Sequence, residues 1–499
     1  MTVVDFLPTP ADLVGCRWKA VQKRHFPEIA NTAVSQERRA RTMAAWVETA
    51  QLLPQHPAIG DKKNFRRIDI HSQDFAQELE TLEAIAQQAS LITRARFATA
   101  DWAVQVDILV RMPDGTYIPI EVTNKRVARP GAGIVQALAT KRLGLGEIFE
   151  VPARIRTNPM VNYSLGLAAR ALTELGVNSG LGGIIGQDRQ RAYLIDTGAH
   201  QKDLDRALAQ PIPTAPMRVR ECDNCGFWKQ CEPILVAADD ISLFLPGGKA
   251  QSFRDQGINT VTELIEADLP QASALAKAWR AGVQILRRQP AITPAIPRFA
   301  HEIDIDMEAY LDHGAYLWGA WDGDTYQAFI TWGELGTAAE GENFARFWAW
   351  LKPQLGPDVG VYCYSNNGEN HLLRQSAKRF GGQRFGDLIA PELAEIEEFI
   401  SSAQWIDVFA AVRGQLVGTQ GLGLKVVAPH AGFQWRESGL DGEESINIYQ
   451  VATDPAAPEE DRKKARNLLL SYNEDDCRAT AAVRQWLAAG TPGVEVLTS

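Results

Sequence analysis

The chain has 499 residues, 45% hydrophobic and 22% charged, a balance that supports buried cores and roughly two to four domains. A net charge of −10 argues against broad attraction to polyanions, although a local basic groove can coexist with it. Six Cys are too few for a disulfide framework, no basic n-region with an apolar h-region opens the chain, and no run of about 18 apolar residues occurs, so a cytoplasmic chain without a membrane span is expected.

Residues 1–235 mix helical stretches with one clear hairpin. In VQVDILVRMPDGTYIPIEVTNKRV two period-2 runs flank Pro113-Asp114-Gly115, the pattern of a short Gly-containing loop. With Met112 paired to Thr116, counting back along both strands sets Asp107 opposite Glu121. Side by side in apolar strands, two carboxylates repel unless a cation bridges them, and hard oxygen ligands suit Mg²⁺ or Mn²⁺. Lys125, two pleats beyond Glu121, is expected on the same face. The competing reading is a surface hairpin with two solvated acids, and a slip of one residue would turn the acids to opposite faces. Gln136 is expected in an amphipathic helix.

The cysteines follow as Cys222-x2-Cys225-x5-Cys231, with Cys16 far upstream. Soft thiolates at such spacing favour iron or zinc, and Cys16 as a fourth ligand would tie the start of the chain to the trio. Four thiolates satisfy tetrahedral zinc as readily as a cubane cluster, so both remain open from spacing alone. Residues 236–290 then read as short helices, with a Pro-Gly-Gly turn at Pro246 to Gly248, a break at Gly257 and a new helix opening at Thr260. They resemble a helix-hairpin-helix whose turn amides would hold backbone phosphates. The Pro-rich residues 287–299 are expected to form a stiff linker.

From about residue 299 strands and helices alternate. In HEIDIDMEAYLDHGAYLWGAWDG the acids Glu302, Asp304, Asp306 and Glu308 recur at period 2, so a strand would aim all four at one face. Such a face points to bound cations. Near the end, LLLSYNEDDCRATAAVRQWL is an amphipathic helix carrying Tyr472 and Asp476 on one face. Between them, Glu369 in NNGENHLLRQSAKRFGG, Asp407 in WIDVF and Lys425 are further candidates. Two cations clamping a phosphodiester need several carboxylates collected from different elements, which this set supplies. No nucleophile elbow and no G-x-G-x-x-G after a first strand are present.

These motifs carry two resemblances. The acid, the acid with Lys, Gln136 and the four cysteines resemble the iron-sulfur branch of the RecB-type PD-(D/E)XK nucleases, in which four Cys hold a [4Fe-4S] cluster and the acids bind the catalytic metal. Thr123 stands where that family has its Lys, Thr140 stands where an aromatic residue is expected, and His71 is a further candidate ligand. The Asp-x-Glu of Asp306 and Glu308, with Asp304 as the alternative first acid, followed by Tyr-x3-Asp at Tyr472 and Asp476, resembles the DEDD 3′–5′ exonucleases of the RNase H-like fold. Together the parts resemble a bacterial RecB-like nuclease family. The resemblance implies an α/β chain with a restriction-endonuclease-like PD-(D/E)XK domain over 1–235, a helical connector over 236–290 and an RNase H-like domain over 299–491. It implies a nuclease acting on nucleic acid, DNA foremost, with a [4Fe-4S] cluster or zinc on Cys16, Cys222, Cys225 and Cys231. Mg²⁺ or Mn²⁺ would be held by Asp107, Glu121, Asp306, Glu308 and Asp476, with Lys125, Gln136, Glu369 and Tyr472 completing the two sites. No G-x4-G-K-[ST] loop occurs, so ATP-driven unwinding would come from a helicase partner.

Overall fold

The computed structural model describes residues 7–29, 32–57, 64–291, 295–310, 313–437 and 442–497. The chain divides into two compact units, Met1–Thr260 and Val261–Ser499, so the division falls inside the stretch read as a connector. Among the described residues no helix is long and apolar enough to cross a membrane.

The first unit runs α1 (Trp18–His25), α2 (Ala33–Leu52), β1 (Arg67–Asp69), α3 (Asp74–Ala86), β2 (Leu91–Ala98), β3 (Ala103–Arg111), β4 (Tyr117–Val122), β5 (Ala128–Ala139), β6 (Phe149–Ile155), α4 (Pro159–Glu174), β7 (Leu181–Ile185), β8 (Arg191–Asp196), α5 (Gln201–Ala209), α6 (Trp228–Ala237) and α7 (Gln251–Arg254). Its strands form one mixed sheet in the order β1-β2-β3-β4-β7-β8-β5-β6. The β3–β4 hairpin closes as its sequence requires. Gly115 takes φ +94°, Met112 N–H donates to the Thr116 carbonyl at 2.7 Å, and the Asp114 carboxylate accepts from Thr116. The paired register runs from Arg111↔Tyr117 to Ile108↔Ile120, so Asp107 and Glu121 are the next residues on the two strands. Alternation then sorts the faces: Leu109 packs with Leu167 and Leu172 of α4, while Ile108, Val110, Ile118 and Ile120 pack with Ala45 and Leu53.

Three expectations for this unit need correction. Gln136 lies on strand β5, not a helix, exposed and paired across to Glu150. The short apolar run around it fits either period, and pairing with β6 and β8 on its two sides decides for strand. Lys125 is not on the Glu121 strand, because β4 ends at Val122 and the chain bends there, leaving Lys125 exposed. The Pro-Gly-Gly turn begins a 3₁₀ turn, Gly247–Ala250, and the Gly247 N–H already donates to the Arg218 carbonyl at 2.8 Å, so that amide does not face outward for a phosphate.

The second unit runs α8 (Val261–Glu266), α9 (Pro270–Arg280), β9 (Ile285–Arg287), β10 (His301–Tyr310), β11 (Gly314–Trp321), β12 (Tyr326–Ile330), α10 (Ala338–Leu351), β13 (Val359–Cys363), α11 (Asn366–Phe380), β14 (Arg384–Phe385), β15 (Leu388–Ile389), α12 (Leu393–Ser401), β16 (Trp405–Asp407), α13 (Val408–Gln415), β17 (Leu416–Gly418), α14 (Leu424–Val427), α15 (Gly442–Thr453) and α16 (Glu459–Ala488). Its main sheet has the order β12-β11-β10-β13-β16, with β12, β11 and β10 antiparallel and β13 and β16 parallel to β10. Ile303 and Ile305 of β10 pack on Phe344, Phe347, Leu373 and Phe380 of α10 and α11. The opposite, acidic side of β10 therefore faces α16. The Pro-rich stretch is not a free linker: Ile296 is 4% exposed in a core with Ile285, Tyr362 and Trp486, and Tyr362 donates to the Pro297 carbonyl at 2.8 Å.

Candidate active site

The four acids of β10 divide into two pairs with different partners. Arg484 of α16, 2% exposed, donates Nε and Nη2 to the two oxygens of Asp304 at 3.0 and 2.7 Å and Nη1 to Glu302. Glu302 is also held by Arg298 at 2.7 Å. Asp304 is thus paired with a buried cation, which leaves Asp306 and not Asp304 as the first acid of the open pair. Sequence reading missed Arg484; the signal was an Arg two steps of four residues after Asp476, on the side of the helix that bears the acid.

The second pair has neutral partners. Asp306, Glu308 and Asp476 each bring a carboxylate oxygen within 4.8 Å of the others. Asp306 accepts from Asn473 Nδ2 at 2.7 Å, Glu308 from Ser445 Oγ at 3.0 Å, and Asp476 from Trp435 Nε1 at 2.7 Å. Tyr472, one helical turn before Asp476, favours the ionised form of that carboxylate. Burial, reinforced by the charges of Asp476, Glu308 and Glu369, holds Asp306 well above the usual carboxylate range. Glu308 is pushed to about 7 by burial and then by Asp476. Asp476 is likewise raised, chiefly by burial. Three clustered carboxylates short of positive charge form a hard oxygen donor set, which fits Mg²⁺ or Mn²⁺.

Glu369 stands in the first turn of α11, its pKa raised to about 7 by burial, close enough for its charge to lift Asp306. Asp407 caps α13, accepting from Ala410 N at 3.1 Å, so its first role is structural. Lys425 lies with Nζ 5.1 Å from the Tyr472 ring centre, and its charge favours ionised Glu308 and Asp476.

In the first unit Asp107 and Glu121 lie close enough to couple electrostatically, on the face toward α4. Val122 N donates to Asp107 Oδ2 at 2.7 Å and Ser164 Oγ of α4 donates to Glu121. Burial raises Asp107 to about 6, and burial and then the Asp107 charge hold Glu121 well above the usual carboxylate range. Lys125 and Gln136 do not join it as read from the sequence, Gln136 standing on β5 three strands from β4. His71 is exposed just beyond edge strand β1. Cys16, Cys222, Cys225 and Cys231 line one pocket with Trp18, Phe227 and Trp228, despite lying up to 215 residues apart. Gln22 Nε2 and Val219 N point at the sulfurs of Cys231 and Cys222, each at 3.4 Å. All four are free thiols.

No curated protein matches the chain. Residues 305–488, from within β10 through the parallel strands β13 and β16 to the end of α16, match a family model described as RNase H superfamily, so this part of the second unit is RNase H-like, a nuclease-type fold that is typically metal-dependent.

Proposed function

We propose that the protein is a metal-dependent nuclease that hydrolyses phosphodiester bonds of DNA, at single strands or ends, as an exonuclease with its chemistry in the second unit. The observation that carries this reading is the convergence of Asp306, Glu308 and Asp476 within an RNase H-like domain. In this reading those acids, with Glu369, hold two divalent cations, Tyr472 orients the attacking water, and Lys425 steadies the phosphate. Bound cations would supply an activated water and clamp the attacking and leaving oxygens. Trp435, Ser445 and Asn473 fix the carboxylates so that little reorganisation accompanies binding.

A second reading concerns the first unit, where Asp107 and Glu121 form a half-buried pair whose hydrogen-bond donors among the described residues, Val122 N–H and Ser164 Oγ, are neutral. We take this as a RecB-like PD-(D/E)XK site, with Thr123 in place of the usual Lys, that binds one cation. The four-thiol pocket suits a soft-metal centre by its donor set: four cysteines on one lining, N–H donors to two of their sulfurs and an aromatic wall. Cys16, Cys222, Cys225 and Cys231 would hold a [4Fe-4S] cluster, with zinc the alternative, stapling the residues just before α1 to the first turn of α6 and the segment ahead of it. We place the protein in the cytoplasm, with a helicase as the partner for duplex substrates.

The test is cleavage of end-labelled single- and double-stranded DNA and RNA by anaerobically purified protein in Mn²⁺, with an absorbance spectrum of the same sample. Products lost in Asp306→Ala and kept in Glu121→Ala support the second unit as the catalyst. The reverse pattern moves catalysis to the first. Binding without cleavage by wild type replaces the nuclease reading with a nucleic-acid scaffold, and cleavage of RNA alone replaces DNA as substrate.

A further inference from the structure

Asp306 sits directly across from Gly319 in the β10–β11 register. A Cβ at Gly319 would lie 1.7 Å from Asn473 Oδ1, so the missing side chain is the slot that the Asn473 amide fills. Asn473 is fully buried there. Its NH₂ donates to Asp306 Oδ2 at 2.7 Å and to the Asp306 carbonyl at 3.3 Å, and its own carbonyl accepts the Tyr326 hydroxyl at 2.7 Å. Both acceptors on Asp306 require the amide nitrogen to face them, and the Tyr326 hydroxyl fixes the other end. Tyr326 also stands over the open Gly319 position, its ring carbon 3.1 Å from where a Cβ would be. The three residues form a relay from strand β12 through helix α16 to strand β10.

We propose that Asn473 is a positioning residue for cation binding: it engages one oxygen of Asp306, leaves the other for the metal, and is itself held in that orientation by Tyr326. The inference rests on the cation-site reading above. A carboxylate free to rotate beside Glu308 and Asp476 would swing away from their charges, whereas the Asn473 bond keeps it among them. Partners of this kind typically set metal affinity by about 10–100-fold.

The test is Mn²⁺ titration at fixed pH, followed by electron paramagnetic resonance, on wild type, Asn473→Ala, Tyr326→Phe and the double variant, with thermal unfolding alongside. Asn473→Ala is expected to weaken Mn²⁺ binding about 10–100-fold, and raised Mn²⁺ should restore its cleavage rate. Tyr326→Phe, which touches neither Asp306 nor a cation, should weaken binding by a smaller factor, and the double variant should be no worse than Asn473→Ala alone. Should Asn473→Ala fail to fold, Tyr326→Phe decides alone. Wild-type Mn²⁺ affinity in the variants, whatever their unfolding temperatures, overturns the inference, as does an independent Tyr326 effect added to that of Asn473. Wild type that binds no Mn²⁺ overturns the cation-site reading itself, and this inference with it.

Discussion

Replacing Arg484 with Met tests the division of the β10 acids into a paired half and an open half. Arg484 is 2% exposed and Asp304 fully buried, and both described hydrogen bonds to the Asp304 carboxylate come from Arg484. Glu302 would keep Arg298 at 2.7 Å and the Tyr362 hydroxyl at 3.2 Å, so the cost falls on Asp304. Removing one member of a buried pair strands the other, and we expect a loss of about 3–5 kcal/mol in the second unit. Because unfolding of a two-unit chain need not be two-state, amide hydrogen exchange in β10 and α16 is the assay, under native conditions and in low urea. Burial already lifts Asp304 to about 6 with Arg484 in place, and without it the carboxyl takes up a proton more readily still. The deficit should therefore shrink as pH falls through about 6 and grow above it. Arg484→Met with Asp304→Asn should recover most of the loss, since a neutral pair strands no charge. A single-variant loss under about 1 kcal/mol, the worth of an exposed ion pair, would refute the reasoning, as would a double variant no better than the single one.

Four other outcomes follow from the two acidic sites and the thiol pocket. Glu308, raised to about 7 by burial and Asp476, binds protons in the metal-free fold that the unfolded chain has released, so it costs stability as pH rises from about 4.5 to 7. Glu308→Gln should then raise the unfolding temperature in chelator at neutral pH and leave it unchanged below that window; an equal change at both pH values counts against the assignment. Asp107→Asn keeps an oxygen for the Val122 N–H and removes the repulsion with Glu121, so metal-free unfolding should stay level or move up, and a marked drop in thermal denaturation would contradict the repelling pair. Gly319→Ala should cost about 1–3 kcal/mol and cleavage activity together, read from urea midpoints and end-label assays, because its methyl meets Asn473 at 1.7 Å. Cys222→Ser should lower the iron or zinc found per chain by elemental analysis, and unchanged metal content would remove the thiol pocket as a metal centre.

What could be read in advance depended on sequence separation. The Asp107–Glu121 register followed from a three-residue loop and strict alternation, both local, and the acidic face of β10 followed from a period of two. The meaning of that face was not local. Glu302 and Asp304 look identical in pattern to Asp306 and Glu308, and only Arg484, some 180 residues on, separates a neutralised pair from an open one. Gln136 shows the reverse error: its short apolar run suits a helix until β6 and β8 claim its backbone groups on both sides. Lys125 was placed by extending a strand that ends three residues earlier, since alternation predicts facing but not length.

The same contrast explains how one helix organises the candidate site. Successive turns of α16 present Tyr472 and Asn473, Asp476, Thr480 and Arg484. Against β10 these meet, in turn, the open acids and the paired acids, with Asn473 at Asp306 and Arg484 at Asp304 and Glu302. An isolated strand bearing four acids on one face would repel itself. Docked on α16, half of that repulsion is cancelled by a buried guanidinium, and the other half is retained among neutral donors, where a divalent cation would relieve it. On the proposed cation site, binding and folding of the second unit are coupled: a change that strengthens the metal-free fold by neutralising Glu308 would also remove a donor for the cation.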